Sequence, residues 1–182
     1  IACDVDSPFF GPQGAASVYG PQKGATPEMV EALDKGMRHF AEIINGKYGM
    51  DVSDMPGAGA SGGLGGAFAA FLNATLRRGA DMVLDAIGFD ELIRGADLVI
   101  TGEGRIDSQT QTGKLPYAVM KRAVAQGIKV IAIAGSVAQD AVIEGFDTIL
   151  QVTPEGMPLK EAMKKETASA NIADAVSTYL VT

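Results

Sequence analysis

The amino-acid sequence predicts an α/β fold whose carboxyl-terminal part contains a parallel β-sheet. From residue 96 onward, strand-like and helix-like segments alternate and are joined by short loops, which is the order found in α/β folds. Two of the strand-like segments, residues 96–101 and 129–134, have apolar centres, as strands buried within a parallel sheet do. The composition fits this class, because 47% hydrophobic and 20% charged residues are ordinary for a globular protein.

The first half of the chain predicts helices separated by two long loops. Residues 1–5 predict a strand, and Thr26-Pro27-Glu28 predicts a helix start, since threonine caps helices and proline suits the first helical position. That helix is expected to end at Gly46 or Gly49. We also expect loops at residues 7–25 and 51–66, a helix at 67–77, a strand at 80–87 and a short helix at 89–94.

The second half predicts the elements of the parallel sheet. We expect strands at residues 96–101, 129–134 and 148–152, and helices at 115–126 and about 137–144. A polar loop is expected at 102–113 and a turn at 135–136, and residues 159–180 are expected to be a helical region broken near Lys165-Glu166. Ligands in such sheets bind beyond the carboxyl ends of the strands. The polar loop and the turn at Gly135-Ser136 are therefore expected to lie near a site.

Charge and cysteine content exclude some function classes. The net charge of −7 argues against nucleic acid as a partner, because phosphate binding needs a basic surface. Cys3 is the single cysteine, which indicates a reducing cytoplasm, and no apolar run reaches the roughly 20 residues of a membrane helix. The sequence opens with Ile1, inside a predicted strand, so we expect it to be a piece of a longer protein.

The glycine-rich stretch at residues 57–62 has the spacing G-x-G-x-x-G. A dinucleotide fingerprint must follow a strand, but residues 47–56 do not look like one and Pro56 would interrupt it. Two other uses of glycine remain open. The stretch enters a helix near Leu64, so its backbone N–H groups and Ser61 could bind an anion. The glycines could instead only permit close helix packing.

The loop at residues 102–114 has the richest chemistry. Glu103, Arg105, Asp107 and Lys114 follow a buried strand, and phosphoryl transfer uses such cations and carboxylates. The loop is not a phosphate-binding loop of the Walker type, because Leu115 stands where that motif has Ser or Thr. The alternative is a solvated polar loop.

Asp4 and Asp6 form a second candidate pair. Two acids spaced i, i+2 on a strand point to the same face and could hold a metal or accept a proton. The alternative is that they cap a helix or form a turn. His39, the single histidine, lies on a predicted helix between apolar positions and is not expected to take part in catalysis.

Several motifs in order resemble those of the type 1 glycerate kinases, over nearly the whole chain: D-V-D-S-P at 4–8, G-P-Q-K-G-A-T-P-E at 20–28, P-G-A-G-A-S-G-G at 56–63, L-V-I-T-G-E-G-R-I-D-S-Q-T at 98–110, T-G-K at 112–114 and I-A-G-S at 133–136. Members are about twice this length, so the resemblance implies a carboxyl-terminal half. It implies two α/β lobes, with residues 1–111 belonging to an inserted lobe and residues 112–182 to the carboxyl-terminal part of a Rossmann-like lobe. One departure is Ser7, where asparagine would be expected.

The resemblance implies transfer of the ATP γ-phosphate to D-glycerate with Mg²⁺, with 2-phosphoglycerate a more expected product than 3-phosphoglycerate. Asp107 is the first candidate for base or metal ligand, Glu103 the second, and Arg105 and Lys114 would clamp phosphate or carboxylate. The remaining candidates are Asp4 as a second metal ligand, and a set of substrate or phosphate contacts: Asp4, Asp6, Lys23, Gly59, Ser61, Gly62, Gly63 and Ser136. A non-catalytic anion-binding domain and a dinucleotide-dependent dehydrogenase are the alternatives, and the oligomeric state, a homo-oligomer included, is left open.

Overall fold

The computed structural model describes residues 1–108, 110, 113–139, 141 and 143–181. It divides into two compact units, residues 1–82 and 83–182, which are described separately below. The division predicted at residue 111 concerns the lobes of a longer protein and stays a prediction. Among the described residues, every helix falls short of the length and apolarity needed to cross a membrane.

The first unit is mostly helical. Its elements are α1 (Ala15–Tyr19), a 3-10 turn (Pro21–Lys23), α2 (Pro27–Tyr48), α3 (Ala60–Leu72) and the start of α4 (Gly79–Ala86). A core cluster forms where the inner face of α2 meets the loops on either side of it: Phe9, Ala41, Ile44, Val52 and Ala58 are all buried. This core fixes the loop that leads into α3.

Helix α2 begins and ends as its sequence predicts. The Thr26 hydroxyl accepts a hydrogen bond from the Met29 N–H at 3.3 Å, and Pro27 occupies the first turn. The hydrogen bond with the Thr26 side chain also lowers the pKa of Glu28. The helix ends at Gly49, whose φ of 67° is in the left-handed region and whose N–H donates to Asn45 O.

Several predicted elements of this half are wrong in type or in extent. Residues 1–5 form only an isolated parallel bridge between Ala2 and Arg77, and residues 7–25 include α1 and the 3-10 turn. Helix α3 stops at Leu72 because Asn73 adopts the left-handed conformation. Residues 80–87 are mostly helical and not a strand. A short apolar run fits either structure. Here the helix start is capped by Asp4, which accepts a hydrogen bond from the N–H of Gly79, the first residue of α4.

The second unit contains the predicted parallel sheet. Strands β1 (Leu98–Ile106), β2 (Lys129–Val137) and β3 (Thr148–Gln151) pair in parallel in the order β1-β2-β3. Both β1 and β2 run further than predicted, through part of the expected loop and through the expected turn at Gly135-Ser136. Glycine makes this extension feasible, because a Cβ on Gly102 would lie 2.4 Å from Ile133 O and one on Gly135 would lie 2.7 Å from Gly104 O.

The helices of the second unit follow the sequence closely. They are α5 (Phe89–Leu92), α6 (Leu115–Ala125), α7 (Leu159–Ala162) and α8 (Lys165–Val181), and the predicted break near Lys165 is confirmed. The helix predicted to run from the turn to about residue 144 is wrong for the described residues of that stretch. Val137 ends β2 and the others form turns and irregular chain, while residues 140 and 142 lie outside the described residues. A core cluster of Ile106, Ala132, Ala134 and Ile143 lies around β1 and β2.

Candidate functional site

The candidate site residues of the second unit come together where β1 ends and α6 begins. We call Glu103, Arg105, Asp107, Thr110 and Lys114 the β1 cluster. Glu103 and Arg105 lie in the last half of β1, opposite Ala134 and Ser136 of β2. Lys114 is the residue directly before α6, with extended backbone. The parallel sheet thus places the cluster at the carboxyl end of a strand, where ligands of α/β proteins bind.

Hydrogen bonds from one threonine join the two carboxylate residues. The Thr110 hydroxyl donates to Glu103 Oε1 at 2.6 Å and accepts from the Asp107 N–H at 3.3 Å. The Thr110 N–H in turn donates to Asp107 O at 2.9 Å. Thr110 has no exposed surface, so these contacts are shielded from water.

Lys114 lies between the two carboxylates. Its Nζ is 3.5 Å from Asp107 Oδ1 and 3.6 Å from Glu103 Oε2, and the side chains of Lys114, Asp107 and Glu103 are 37%, 27% and 18% exposed. Arg105 reaches Asp107 Oδ2 at 3.8 Å but is 67% exposed. The cluster therefore offers one partly buried cation between two carboxylates, with an exposed guanidinium at its edge.

This arrangement suits a charged substrate. A carboxylate can accept a hydroxyl proton, and a partly desolvated lysine can neutralise an anionic group. Among the described residues, no group of three histidine, cysteine, aspartate or glutamate side chains converges on one metal position. Two carboxylates and a phosphate-bearing substrate are nevertheless a common donor set for Mg²⁺.

The first unit contains a separate cleft of about 440 Å³. Its lining is largely apolar and includes Leu64 and Phe68 of α3 and Leu76. The polar side chains that line it include Asp4, Tyr19, Gln22, Lys23 and Ser61. The volume lies within the roughly 300–1,000 Å³ of small-molecule sites. Lys23 and Ser61 are thus brought into one cavity, as residues of a shared site should be.

The acids of the first unit have structural partners. Asp4 Oδ1 accepts from the Gly79 N–H at 2.7 Å, so Asp4 has the helix-capping position that the sequence left as an alternative. Asp6 forms an ion pair with Arg78. A metal-binding or substrate-binding role for either acid stays a prediction.

The glycine-rich loop uses many of its N–H groups internally. The Gly59 N–H donates to Ser7 O at 2.9 Å, and the N–H groups of Gly62 and Gly63 both donate to Gly59 O, at 3.1 and 3.2 Å. An anion cradle built from these three donors would have to replace those bonds. Residues 50–56 contain no strand, as the sequence argument against a dinucleotide fingerprint requires.

Close packing explains why several positions of this loop need glycine. A Cβ on Gly59 would lie 2.2 Å from Pro8 O, one on Gly65 2.1 Å from Gly57 O, and one on Gly66 2.8 Å from the Phe9 ring. Gly62 differs, since it faces open space at the cleft with a φ of 76°, next to Ser61 with a φ of 52°. A serine in the left-handed conformation is uncommon and is often found at binding sites.

One member of the β1 cluster, Thr110, was not predicted as a site residue from the sequence. The pattern gave no sign of its burial, because it lies in a polar stretch between glutamines. Its spacing of three residues from Asp107 is the one available signal, since a threonine hydroxyl often bonds backbone groups within one turn. Ser136 is exposed and lies opposite Arg105 in the β1–β2 register. Thr112 of the T-G-K motif lies outside the described residues.

Comparison with known proteins gives a consistent result. The chain is 51% identical over 181 residues to the glycerate kinase of Halalkalibacterium halodurans, covering 95% of this chain and 48% of that relative. It is 44% identical over 167 residues to the glycerate 2-kinase of Escherichia coli, covering 90% of this chain and 44% of that relative. The crystal structure of a protein provisionally named glycerate kinase 2, from Salmonella typhimurium LT2, matches with a TM-score of 0.73 at 42% identity, covering 100% of this chain and 49% of that one.

The chain spans about half the length of the curated relatives it matches. The comparisons do not support its specific placement as a carboxyl-terminal half, and the two-lobed architecture and the fragment status remain predictions. The sequence model of the glycerate kinase family matches residues 1–180, nearly the whole chain. The chain therefore belongs to the glycerate kinase family.

Proposed function

We propose that the complete protein transfers the γ-phosphate of ATP to D-glycerate, giving ADP and 2-phosphoglycerate. The observation that carries the proposal is Lys114, held between the carboxylates of Glu103 and Asp107 at the end of a parallel strand. Family membership supports the substrate. The relative named glycerate 2-kinase favours the 2-phosphate over the 3-phosphate.

In the proposed reaction, Asp107 accepts the proton of the substrate hydroxyl. The freed oxygen forms a bond to the γ-phosphorus while the bond from that phosphorus to the β,γ-bridging oxygen breaks, leaving ADP. Lys114 lies within 3.5 Å of Asp107 and would neutralise the transferring phosphoryl group. Arg105, being largely exposed, would contact the substrate carboxylate or a phosphate from the edge of the cluster.

The carboxylates of the β1 cluster also fit Mg²⁺. Glu103 and Asp107 both approach Lys114, so their oxygens converge on one region, and Mg²⁺ is usually bound by one or two carboxylates plus phosphate oxygens. Mg²⁺ would supply charge neutralisation of the phosphates. Glu103 and Asp107 are the residues that would hold it, with Asp4 kept as a candidate ligand on chemical grounds alone.

The cleft of the first unit would contribute substrate contacts. Lys23 and Ser61 line it together, and a lysine with a neighbouring hydroxyl suits a phosphate or carboxylate group. Gly59, Gly62 and Gly63 stay candidate contacts. Close packing surrounds Gly59 and Gly63, whereas Gly62 faces open space at the cleft, but its N–H would have to leave Gly59 O to bind an anion. Asp6 and Ser136 remain candidate contacts, and the cytoplasm remains the expected compartment.

Phosphorus NMR on the complete natural protein tests the proposal. The protein is incubated with Mg-ATP and D-glycerate, and L-glycerate serves as the matched control substrate. The expected result is an ADP signal together with a new phosphomonoester signal, whose coupling to a single carbon-bound proton identifies 2-phosphoglycerate. A coupling to two protons would identify 3-phosphoglycerate instead. Absence of any product from folded protein would contradict the kinase proposal and favour a non-catalytic anion-binding domain.

A further inference from the structure

We infer that Thr110 is a positioning residue, which acts through Glu103 to set the place of Lys114. The inference rests on the proposed function, because the importance of Lys114 comes from its proposed contact with the transferring phosphoryl group. Thr110 itself touches no reacting atom in the proposed reaction. Its effect passes through side chains that are all within hydrogen-bonding or ion-pair distance.

The direction of the hydrogen bonds follows from chemistry. A threonine hydroxyl has one proton to donate and two lone pairs to accept with. The Asp107 N–H can only donate, so at 3.3 Å it takes a lone pair of Thr110 Oγ1. The hydroxyl proton is therefore directed to Glu103 Oε1 at 2.6 Å. This contact holds Glu103 in the orientation that points its other oxygen, Oε2, towards Lys114 Nζ at 3.6 Å.

Burial makes this contact effective. Thr110 is 0% exposed and the Glu103 side chain is 18% exposed, so little water is available to replace the hydroxyl. Lys114 is 37% exposed and depends on its two carboxylates for a fixed position. The same hydroxyl also joins Asp107 to the network through the backbone. A single buried hydroxyl thus contacts the carboxylate of Glu103 and the backbone of Asp107.

The test compares two substitutions of Thr110 in the complete protein. Thr110→Val keeps the volume and the backbone bond to Asp107 O but removes the hydroxyl, whereas Thr110→Ser keeps the hydroxyl. We expect Thr110→Val to lower kcat about 10- to 100-fold with the KM values for D-glycerate and ATP changed less than about 3-fold. Thr110→Ser is expected to retain kcat within about 3-fold of wild type. Thr148→Val, the same change at the start of β3, is the matched control and should leave kcat unchanged.

A double variant separates positioning from general damage. If Thr110 acts through Glu103, adding Thr110→Val to Glu103→Gln should lower kcat by less than about 3-fold beyond Glu103→Gln alone. Multiplicative losses, or equal losses for the valine and serine variants, would overturn the inference. If the valine variant does not fold, Thr110→Ala carries the same comparison, since it adds no bulk.

A structural measurement keeps this inference distinct from the proposed function. If the wild type forms no phosphoglycerate, the kinase proposal fails, and crystal structures of wild type and Thr110→Val decide the role of Thr110. We expect the Glu103 carboxylate to turn in the variant and its distance from Lys114 Nζ to exceed the 4 Å limit of an ion pair. An unchanged Glu103 orientation would overturn the inference, whatever the activity.

Discussion

The glycine-rich loop of the first unit and the β1 cluster of the second unit use their polar groups in opposite ways. At residues 57–66 the N–H groups of Gly59, Gly62 and Gly63 are bonded to the loop's own carbonyls or to Ser7 O. In the β1 cluster, side chains rather than backbone groups form the network, and they converge on Lys114. The first arrangement stabilises a fold, whereas the second concentrates charge where a substrate can reach it.

The difference shows that glycine content alone is a poor guide to phosphate binding. A glycine serves an anion only when its N–H is available, and close packing of backbone often consumes that N–H. A lysine between two carboxylates, by contrast, is costly to keep partly buried unless its charge is used or balanced. We therefore expect substitutions in the second region to change rate, and substitutions in the first to change stability.

A large effect on the rate is expected from Lys114→Met. Removing the cation should lower kcat about 10²- to 10³-fold, because the transferring phosphoryl group loses its nearest positive charge. Steady-state kinetics with ATP and D-glycerate measure this change. Lys129→Met, at an exposed lysine at the start of β2, is the control and should behave as wild type. A kcat that stays within about 2-fold in Lys114→Met would place the chemistry elsewhere.

Gly65→Ala should destabilise the first unit by about 3 kcal/mol, because its Cβ would collide with the backbone at Gly57 O and force the loop to move. Gly36→Ala is the matched control, since Gly36 is an exposed position in α2 with open space around it. That change should stabilise the protein by about 0.5–1 kcal/mol through helix propensity. Thermal and urea unfolding measure both. Equal behaviour of the two variants would show that close packing is not what this glycine provides.

Thr26→Ala should cost about 1 kcal/mol of unfolding free energy, because the N-terminus of α2 loses its side-chain cap to the Met29 N–H. Urea unfolding measures the change. Thr26→Ser keeps the hydroxyl and should recover most of the loss. An equally destabilised serine variant would point to the threonine methyl group instead of the cap.

The smallest effect concerns Tyr179, whose hydroxyl donates to Asp147 Oδ2 at 2.8 Å. This hydrogen bond with the Asp147 carboxylate raises the pKa of Tyr179 above its ordinary value of 10.0. A group whose pKa is raised on folding contributes its stability below the ordinary value and loses it as the pH rises through the folded value. Tyr179→Phe should therefore be less stable than wild type at pH 8, with the difference shrinking above pH 10. A difference that does not change with pH would mean that the hydroxyl bond contributes nothing to it.

The sequence predicted best those elements whose signals are local. The cap, proline and terminal glycine of α2, the apolar centres of β1 and β2, and the break before α8 all depend on neighbouring residues. Prediction from the sequence failed where an element depends on a contact with a residue that is distant along the chain. Residues 1–5 contribute a single bridge, between Ala2 and the distant Arg77. Residues 80–87 become mainly helix in a setting that includes the bond from the Gly79 N–H to Asp4.

The candidate site was predictable in its residue types but not in its contacts. Glu103, Asp107 and Lys114 follow one strand, so their proximity could be expected from the chain alone. The burial of Thr110 could not, because it accompanies contacts with Glu103 and Asp107 that the residue pattern does not show. The extension of β1 beyond Thr101 likewise could not be predicted from the sequence, since it relies on glycines that allow two strands to approach closely.

The most direct test of the account is the kinetics of Asp107→Asn in the complete protein, with ATP and D-glycerate. We expect kcat to fall about 10²- to 10⁴-fold, because asparagine cannot accept the hydroxyl proton, while the KM for D-glycerate changes less than about 3-fold. A kcat close to that of wild type would contradict the role of Asp107 and with it the placement of the chemistry at the β1 cluster.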